Sequence, residues 1–505
     1  MYFNSRPGRA IALLLVAFLL TACGGGASTP TNAAPVASRV TISGTVVLGS
    51  LLAGNYTYAD AESDAQGSST LRWMRSGNSG GTDKVAISGA ITHNYTVVAA
   101  DLGSYLYFCV LPVAISGTSP GIEVCSLATI AVPASANTMI VTVDAGPDNS
   151  GYNVNRLYTS VTICYPGSGT LCQTIDHVLV DTGSTGLRLL ASTLLGNLNL
   201  PRLTGNTGFP LLSCVQFVDN TFAWGPVVSA DIVLSGKTAT GVPIQVIADP
   251  AFGTPATNCS IGGIAMTTAS DLGANGIIGL GLFKNDCGAG CSVTSHNGSY
   301  YTCTDASCAS TKGTRATVDQ QLKNPVPLFA QDNNGILIDL PAISTTTAAT
   351  LSGTLTFGIY TQSNNQVTPG TLLATDTLGN FTTSLAGRSY TNSFLDTGSN
   401  GLFFDSTAIT PCGADGAGFY CPDLLATFPA NLIGANATSG TVSFAIDKAT
   451  NLFLDRSQHV LPALAGPLGD STSFDWGLPF FYGRRVFIGI EGQPSLLGTG
   501  PFYAF

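Results

Sequence analysis

The stretch His177-Val-Leu-Val-Asp181-Thr-Gly-Ser-Thr-Gly-Leu187 has a near copy further along the chain. The copy, Asn392-Ser-Phe-Leu-Asp396-Thr-Gly-Ser-Asn-Gly-Leu402, begins 215 residues later and keeps the Asp-Thr-Gly-Ser core and the final Gly and Leu. In both copies the aspartate follows an apolar run that is typical of a buried strand, and a second apolar run follows the turn. An internal repeat of this kind predicts two similar structural units within one chain.

The chemistry of the repeat centres on Asp181 and Asp396. In each copy a strand delivers the aspartate to a tight turn, where glycine lets one backbone approach another closely. If the two turns meet, their carboxyl groups share one proton, because like charges at that distance cannot both ionise cheaply, and the pair titrates as a unit. The ionised carboxylate can then activate a water molecule while its protonated partner polarises a peptide carbonyl.

The residues that follow each aspartate have supporting roles in this scheme. The threonines can hydrogen-bond across the junction between the two units, and the glycines permit close approach. The serines can donate to the outer oxygens of the carboxylates. The supporting residues are Thr182, Gly183, Ser184, Thr397, Gly398 and Ser399.

Two Asp-Thr-Gly-Ser turns in one chain resemble the pepsin-like aspartic proteases. Asn275-Gly-Ile-Ile-Gly-Leu-Gly281 is similar to the strand that threads behind the first active loop of that family, and the stretch from Phe474 to Phe480 resembles its counterpart near the C-terminus. The resemblance implies an all-β domain of two lobes with a central cleft. Its N-terminal lobe and connector would occupy residues 141–345, and its C-terminal lobe residues 346–505.

The resemblance also implies a flap that closes over the substrate. The region from Val215 to Gly236 is similar to the flap hairpin, but it has Phe217 and Trp224 and lacks the tyrosine of the family. We therefore expect Phe217 or Trp224 to contact substrate. An extended peptide would bind beneath the flap as an added strand, without a metal or other cofactor.

The function implied by this resemblance is hydrolysis of peptide bonds by an aspartic endopeptidase that acts on a peptide or protein substrate. The alternative, from a different class, is a catalytically silent binding or adhesion protein of the cell envelope that uses the same cleft without turnover.

The N-terminus predicts export. Residues 1–22 carry two arginines, a short apolar run and small residues before Cys23, which is the pattern of a secretory signal. The ending Leu20-Thr-Ala-Cys23 resembles a bacterial lipoprotein signal, which implies that Cys23 is lipidated and anchors the protein to a membrane of the cell envelope. Gly24 favours the outer membrane, and residues 23–37 read as a flexible tether. The alternative is an ordinary signal peptide with a chance cysteine.

A separate module is predicted over residues 38–132, followed by a linker over residues 133–140. Short runs rich in Val, Ile, Thr and Tyr alternate with Gly, Asn and Ser turns, as in a β-sandwich. Trp73 and the run Asp101-Leu-Gly-Ser-Tyr105 resemble the core and the tyrosine corner of immunoglobulin-like (Ig-like) domains. The resemblance implies that Tyr105 is buried and closes one end of the sandwich.

The composition favours a β-rich protein and argues against nucleic acid as a partner. Only 10% of the 505 residues are charged, whereas hydrophobic residues make up 45% and glycine numbers 59. Disordered chains combine low hydrophobicity with high charge, so most of this chain should fold. The net charge of −10, with only 19 Lys and Arg, supplies no basic face for phosphates.

The 13 cysteines are consistent with an oxidising compartment, because setting Cys23 aside leaves an even number. Their local spacing suggests disulfides between Cys109 and Cys125, Cys164 and Cys172, and Cys412 and Cys421. Cys214 would pair with Cys259 if the remaining four cysteines pair among themselves. The cluster Cys287, Cys291, Cys303 and Cys308 could form two further bridges. Zinc is the alternative for this cluster, and export argues against it.

Overall fold

The computed structural model of the protein describes residues 32–44, 46, 51–132, 137–261, 263–296, 298–343, 346–366 and 370–505. The predicted signal sequence, Cys23 and the first part of the tether lie outside these residues. None of the helices within these ranges is both long enough and apolar enough to cross a bilayer.

The N-terminal module consists of two small antiparallel sheets. Its strands are β1 (Val36–Ser43), β2 (Leu51–Ala59), β3 (Thr70–Ser76), β4 (Val85–Ala86), β5 (Asn94–Thr96), β6 (Tyr105–Leu111) and β7 (Val124–Cys125). One sheet has the order β1-β2-β5 and the other β4-β3-β6-β7. Trp73 is fully buried between them and contacts Tyr95 and Phe108 at ring-centroid distances of 5.4 and 5.3 Å.

The corner of this module differs from the prediction. Tyr105 is only half-buried, whereas Tyr95 is buried and its hydroxyl donates to Asp101 Oδ2 at 2.7 Å. Asp101 is fully buried and also pairs with Arg75. A buried carboxylate requires partners of this kind, and Tyr95 supplies one from a neighbouring strand. The tyrosine that closes the corner is therefore Tyr95.

The rest of the chain is also built almost entirely of strands, as predicted. Its first part contains β8 (Thr138–Val143), β9 (Leu157–Cys164), β10 (Cys172–Asp181), β11 (Thr185–Leu190), β12 (Leu211–Gln216), β13 (Thr221–Leu234), β14 (Lys237–Ile247), β15 (Ile264–Ala265), β16 (Gly276–Leu280), β17 (Tyr300–Cys303), β18 (Thr311–Gly313), β19 (Gly335–Leu340) and β20 (Leu351–Phe357).

The second part contains β21 (Leu372–Ala374), β22 (Phe381–Leu385), β23 (Arg388–Leu395), β24 (Leu402–Phe404), β25 (Ala426–Ile433), β26 (Ser439–Ile446), β27 (Ala465–Gly466), β28 (Ser473–Trp476), β29 (Arg484–Gly489), β30 (Pro494–Ser495), β31 (Gly498–Thr499) and β32 (Phe502–Ala504). The α-helices of the described chain are short: α1 (Thr257–Ser260), α2 (Ala269–Leu272), α3 (Ala289–Val293) and α4 (Ala449–Leu452).

The strands form two lobes that meet on a shared sheet. In lobe one, β9, β10, β16, β11, β14 and β13 pair in a closed ring, since β13 also pairs with β9. Lobe two is an open sheet of seven strands in the order β26-β25-β22-β23-β28-β24-β27. The sheet of lobe one continues through β8, β20, β19, β29, β32 and β21. One apolar core extends from Met139 to Tyr503 and contains residues of both lobes.

Candidate functional site

Asp181 is held at the end of a buried strand in lobe one. It is the last residue of β10, which pairs in parallel with β16 so that Asp181 lies opposite Gly279. After the turn the chain returns as β11, which pairs with β16 in the antiparallel sense. Strand β16 thus lies between the two arms of the turn. A side chain at Gly279 would place its Cβ 2.4 Å from the Thr185 nitrogen, so only glycine fits there.

Asp396 is held in the same way in lobe two. It directly follows β23, which pairs in parallel with β28. The chain returns as β24, which pairs with β28 in the antiparallel sense, so that Leu402 lies opposite Trp476. A Cβ on Gly477 would lie 2.1 Å from the Gly401 carbonyl oxygen. The sequence repeat is therefore a structural repeat of strand, turn, returning strand and interposed third strand.

Thr182 and Thr397 join the two turns by reciprocal hydrogen bonds. The Thr182 hydroxyl donates to the Leu395 carbonyl oxygen at 3.0 Å, and the Thr397 hydroxyl donates to that of Val180 at 2.7 Å. Each hydroxyl also accepts from the backbone N–H of the other threonine, at 3.0 and 3.2 Å. Both threonines are buried. The two turns are thereby fixed against each other with nearly two-fold symmetry.

Each carboxyl group is oriented by its own turn. The Gly183 N–H donates to Asp181 Oδ1 at 2.8 Å, and the Ser184 hydroxyl donates to Oδ2 at 2.5 Å. In lobe two the same donors act on Asp396 Oδ1 and Oδ2, at 2.7 and 2.9 Å. Every predicted supporting residue is thus in contact with an aspartate or with the opposite turn.

The two carboxyl groups face each other across the junction. The Gly183 N–H also donates to Asp396 Oδ1 at 3.2 Å. A Cβ added to Gly183 would lie 2.7 Å from the Asp396 carboxyl carbon, and one added to Gly398 would lie 2.8 Å from Asp181 Oδ1. Each glycine therefore makes room for the carboxyl group of the other lobe.

Burial and charge set the protonation of this pair. Burial, the negative charge of Asp181 and that of Asp475 together raise the pKa of Asp396 well above its ordinary value. Asp181 is 6% exposed, Asp396 is half-buried and Gly183 is exposed. Burial and the neighbouring charges therefore favour a proton on the pair, whose outer side is open to solvent.

The predicted flap region, Val215 to Gly236, contains the end of β12, the whole of β13 and, between them, a turn at residues 217–220. Phe217 is half-buried at this turn and packs on an apolar group that contains Leu179 and Ile277. Both residues lie two positions before the point where Asp181 pairs with Gly279. Phe217 therefore belongs to an apolar group that also contains residues of β10 and β16.

Trp224 is buried, whereas the sequence predicts that Phe217 or Trp224 contacts substrate. It is 6% exposed, its indole N–H donates to the Phe252 carbonyl oxygen at 2.8 Å, and its ring packs edge-on against Tyr301 at 5.3 Å. The disulfide between Cys214 and Cys259 lies in the same cluster. These contacts come from segments distant in the sequence, which fold over the indole and bury it.

The cysteines pair as disulfides throughout the described chain. The four predicted pairs are present, and the remaining cluster pairs as Cys287–Cys291 and Cys303–Cys308. A single group of His, Cys, Asp or Glu within the described ranges lies close enough together to hold a metal ion. It consists of Cys109, Glu123 and Cys125, and its two cysteines are joined to each other.

Two features near the aspartates were not predicted from the sequence. Asp475 lies in the middle of β28, and an acid inside an otherwise apolar strand was the signal that could have revealed it. In lobe one, Arg188 Nη2 lies 3.5 Å from Asp286 Oδ2, and the Tyr300 hydroxyl donates to Asp286 Oδ1 at 2.8 Å. Burial, offset in part by the Arg188 charge, raises the pKa of Asp286 to about 6.

These features define a two-lobed all-β protein with a pair of facing aspartates at the junction of the lobes. The chain belongs to the family described as a protein of unknown function, DUF3443, whose match covers residues 133–505. Residues 37–126 match the AIR9 A9 domain, so the predicted Ig-like domain is confirmed. No curated protein matches the chain. Neither family match names an activity, and the resemblance to aspartic proteases stays a prediction.

Proposed function

We propose that this protein is an aspartic endopeptidase of the pepsin-like type that hydrolyses peptide bonds with a water molecule activated by Asp181 and Asp396. The observation that carries the proposal is the reciprocal bonding of the two turns, which holds both carboxyl groups against each other at the lobe junction. An isolated aspartate in a turn would need neither the matching glycine nor the opposite threonine. This geometry supports a chemical role for the pair over a structural role for each residue.

The roles of the two aspartates follow from their environment. Asp396 holds the shared proton, because burial and two neighbouring acids raise its pKa. The carboxylate of Asp181 then accepts a proton from water as the water attacks the carbonyl carbon. Asp396 donates its proton to the carbonyl oxygen, and no covalent intermediate with the protein is formed. Ser184 and Ser399 keep the outer oxygens in place during these transfers.

The substrate in this proposal is an extended peptide bound along the open side of the turns. Phe217 packs on the apolar group that contains Leu179 and Ile277. The half-buried Phe217 would favour an apolar side chain in the peptide, since burial of apolar area contributes about 25 cal/mol per Å². Backbone hydrogen bonds to an added strand would supply affinity for many sequences.

The proposed location is the cell envelope, outside the cytoplasm. The six disulfides support this location, because disulfides persist in oxidising compartments. Lipidation of Cys23 would anchor the chain to the outer membrane, with the Ig-like domain as a spacer between the lipid and the two lobes. Mass spectrometry of the purified full-length protein tests this part, since a lipid on Cys23 changes the mass of the N-terminal peptide.

The activity is tested by incubating the purified protein with a denatured mixed-protein substrate from pH 3 to pH 8. Wild type should cleave, and Asp181→Asn and Asp396→Asn should each lose about 10²–10⁴-fold in rate, because each removes one half of an acid–base pair. Asp415→Asn, at an exposed site in lobe two, is the matched control and should cleave normally. A folded wild-type protein that cleaves nothing would overturn the proposal and favour the silent binding protein.

A further inference from the structure

A third carboxyl group lies directly behind the pair of aspartates. Asp475 is in the centre of β28, in register with Phe394 on β23 and Phe403 on β24. Its neighbours Phe474 and Trp476 point into the main core. Because successive side chains of a strand point to opposite faces, Asp475 points the other way, to the face that carries Phe394 and Phe403.

The environment of Asp475 is unusual for an acid. Its side chain is fully buried, and neither carboxyl oxygen has a hydrogen-bond partner among the residues that the structure describes. An unpaired buried polar group destabilises a fold. Lobe one avoids this cost at the equivalent place. Phe394 corresponds to Leu179 in the repeat. Phe394 pairs with Asp475, whereas Leu179 pairs with Ile277.

Asp475 lies close to the pair of aspartates, because it pairs with Phe394, which precedes Asp396 by two residues. The nearby Ser399 hydroxyl donates its hydrogen to Asp396 Oδ2. Burial raises the pKa of Asp475 to about 8, and the charge of Asp181 adds to this effect, whereas the Ser399 hydroxyl offsets it in part. The titratable groups that face Asp475 from the neighbouring elements are Asp181, Asp396 and Tyr503.

We propose that Asp475 is the third carboxyl group of this site, a positioning residue that acts through its charge on Asp396 to keep the shared proton on the pair. The inference rests on the proposed function, because it assigns Asp475 a role in keeping the proton that Asp181 and Asp396 share. Asp475 touches neither substrate nor water in this scheme, and no bond to it forms or breaks.

The direction of the effect follows from the order in which the groups ionise. Once Asp475 carries a charge, that charge opposes ionisation of Asp396 and raises its pKa further. The pair therefore keeps its proton to a higher pH than two aspartates alone would. The lobe-one arrangement, with isoleucine in this position, supplies no such charge. Lobe two accepts an unpaired acid, and the pair keeps its proton as the pH rises above about 8, where Asp475 becomes charged.

The first test is the pH–rate profile of cleavage for wild type, Asp475→Asn and Asp475→Ile, the last being the residue found at the equivalent place in lobe one. We expect the alkaline limb of both variants to move to lower pH by about one unit, because the charge that holds the proton is gone. Asp231→Asn, a buried acid of lobe one that accepts from two backbone N–H groups, is the control and should leave the limb unchanged. Profiles that superimpose would overturn the proposal.

The second test needs no activity. The change in unfolding free energy between pH 4 and pH 10 is measured for wild type, Asp475→Ile, Asp396→Asn and the double variant. Two coupled carboxyl groups give single-variant changes that do not add up in the double variant, whereas independent groups give additive changes. Additive changes would overturn the role of Asp475 even in a protein that cleaves. A non-additive result in a protein that cleaves nothing would leave the coupling intact and remove the proposed function alone.

Discussion

The two copies of the Asp-Thr-Gly-Ser turn lie in sheets of different construction. Lobe one holds its copy in a closed ring of six strands packed mainly with Val, Leu and Ile. Lobe two holds its copy in an open sheet packed with aromatic rings, in which Phe474 stacks on Phe404 and on Trp476 at 4.3 and 4.2 Å. Yet the hydrogen bonds of the two aspartates match donor for donor. The site therefore requires the turn and its interposed strand, while the surrounding core is free to diverge.

The largest expected effect compares the packing of the two cores. Trp476 and Ile278 occupy equivalent places on the interposed strands, and both are fully buried. Trp476→Ala should cost about 3–5 kcal/mol and Ile278→Ala about 2–4 kcal/mol, because the larger ring leaves the larger cavity. Trp476→Ala also removes the indole N–H that donates to the Thr383 hydroxyl oxygen. Denaturant unfolding followed by circular dichroism measures both, and a smaller loss for Trp476→Ala would contradict the comparison.

The next effect tests the symmetry of the junction. Thr182→Val and Thr397→Val keep the shape of each side chain but remove its two hydrogen bonds to the opposite turn. Each should cost about 1–3 kcal/mol, since a buried N–H and a buried carbonyl lose their partners. The two costs should be equal within error, and Thr391→Val, at an exposed position, should change little. Unequal losses of unfolding free energy, measured by the same denaturant unfolding, would show that the two threonines do not contribute equally to the junction.

The smallest effect concerns pH and a position where the repeat differs. His177 in lobe one corresponds to Asn392 in lobe two. Burial alone would lower the pKa of His177, but bonds to Asp144 and Asp176 outweigh it and raise the pKa to about 10. A histidine whose pKa is raised in the folded state stabilises the fold when it is protonated. This contribution is fully present below the unfolded-state pKa of about 6.5 and is lost as the pH rises through the folded-state pKa of about 10.

His177→Asn, which gives lobe one the residue of lobe two, should therefore lower the unfolding free energy by about 1–2 kcal/mol at pH 6 and by less at pH 10. The measurement is thermal unfolding across this range. His459→Asn is the control for replacing a histidine by asparagine elsewhere in the chain. A loss for His177→Asn that is the same at every pH would contradict the assigned charge.

The sequence predicted what the local pattern determines. The repeat located both turns, and the apolar runs before Asp181 and Asp396 located the strands that carry them. Cysteine spacing predicted three disulfides, because a short loop leaves few partners, and Cys214–Cys259 followed as the remaining pair. Trp224 was misplaced because contacts from Phe252 and Tyr301, far along the chain, decide which way its ring faces. Asp475 was overlooked because β28 was identified by its apolar neighbours.

The tryptophans give the molecule three built-in optical reporters. The chain has 3 tryptophans, and each is buried in a different unit: Trp73 in the Ig-like domain, Trp224 in lobe one and Trp476 in lobe two. Replacing two of them by phenylalanine leaves a protein whose fluorescence reports on one unit alone. Since the two lobes share a sheet and a core, the signals of Trp224 and Trp476 should change together on unfolding. The Trp73 signal should change independently, which would identify the Ig-like domain as a separate folding unit without any added label.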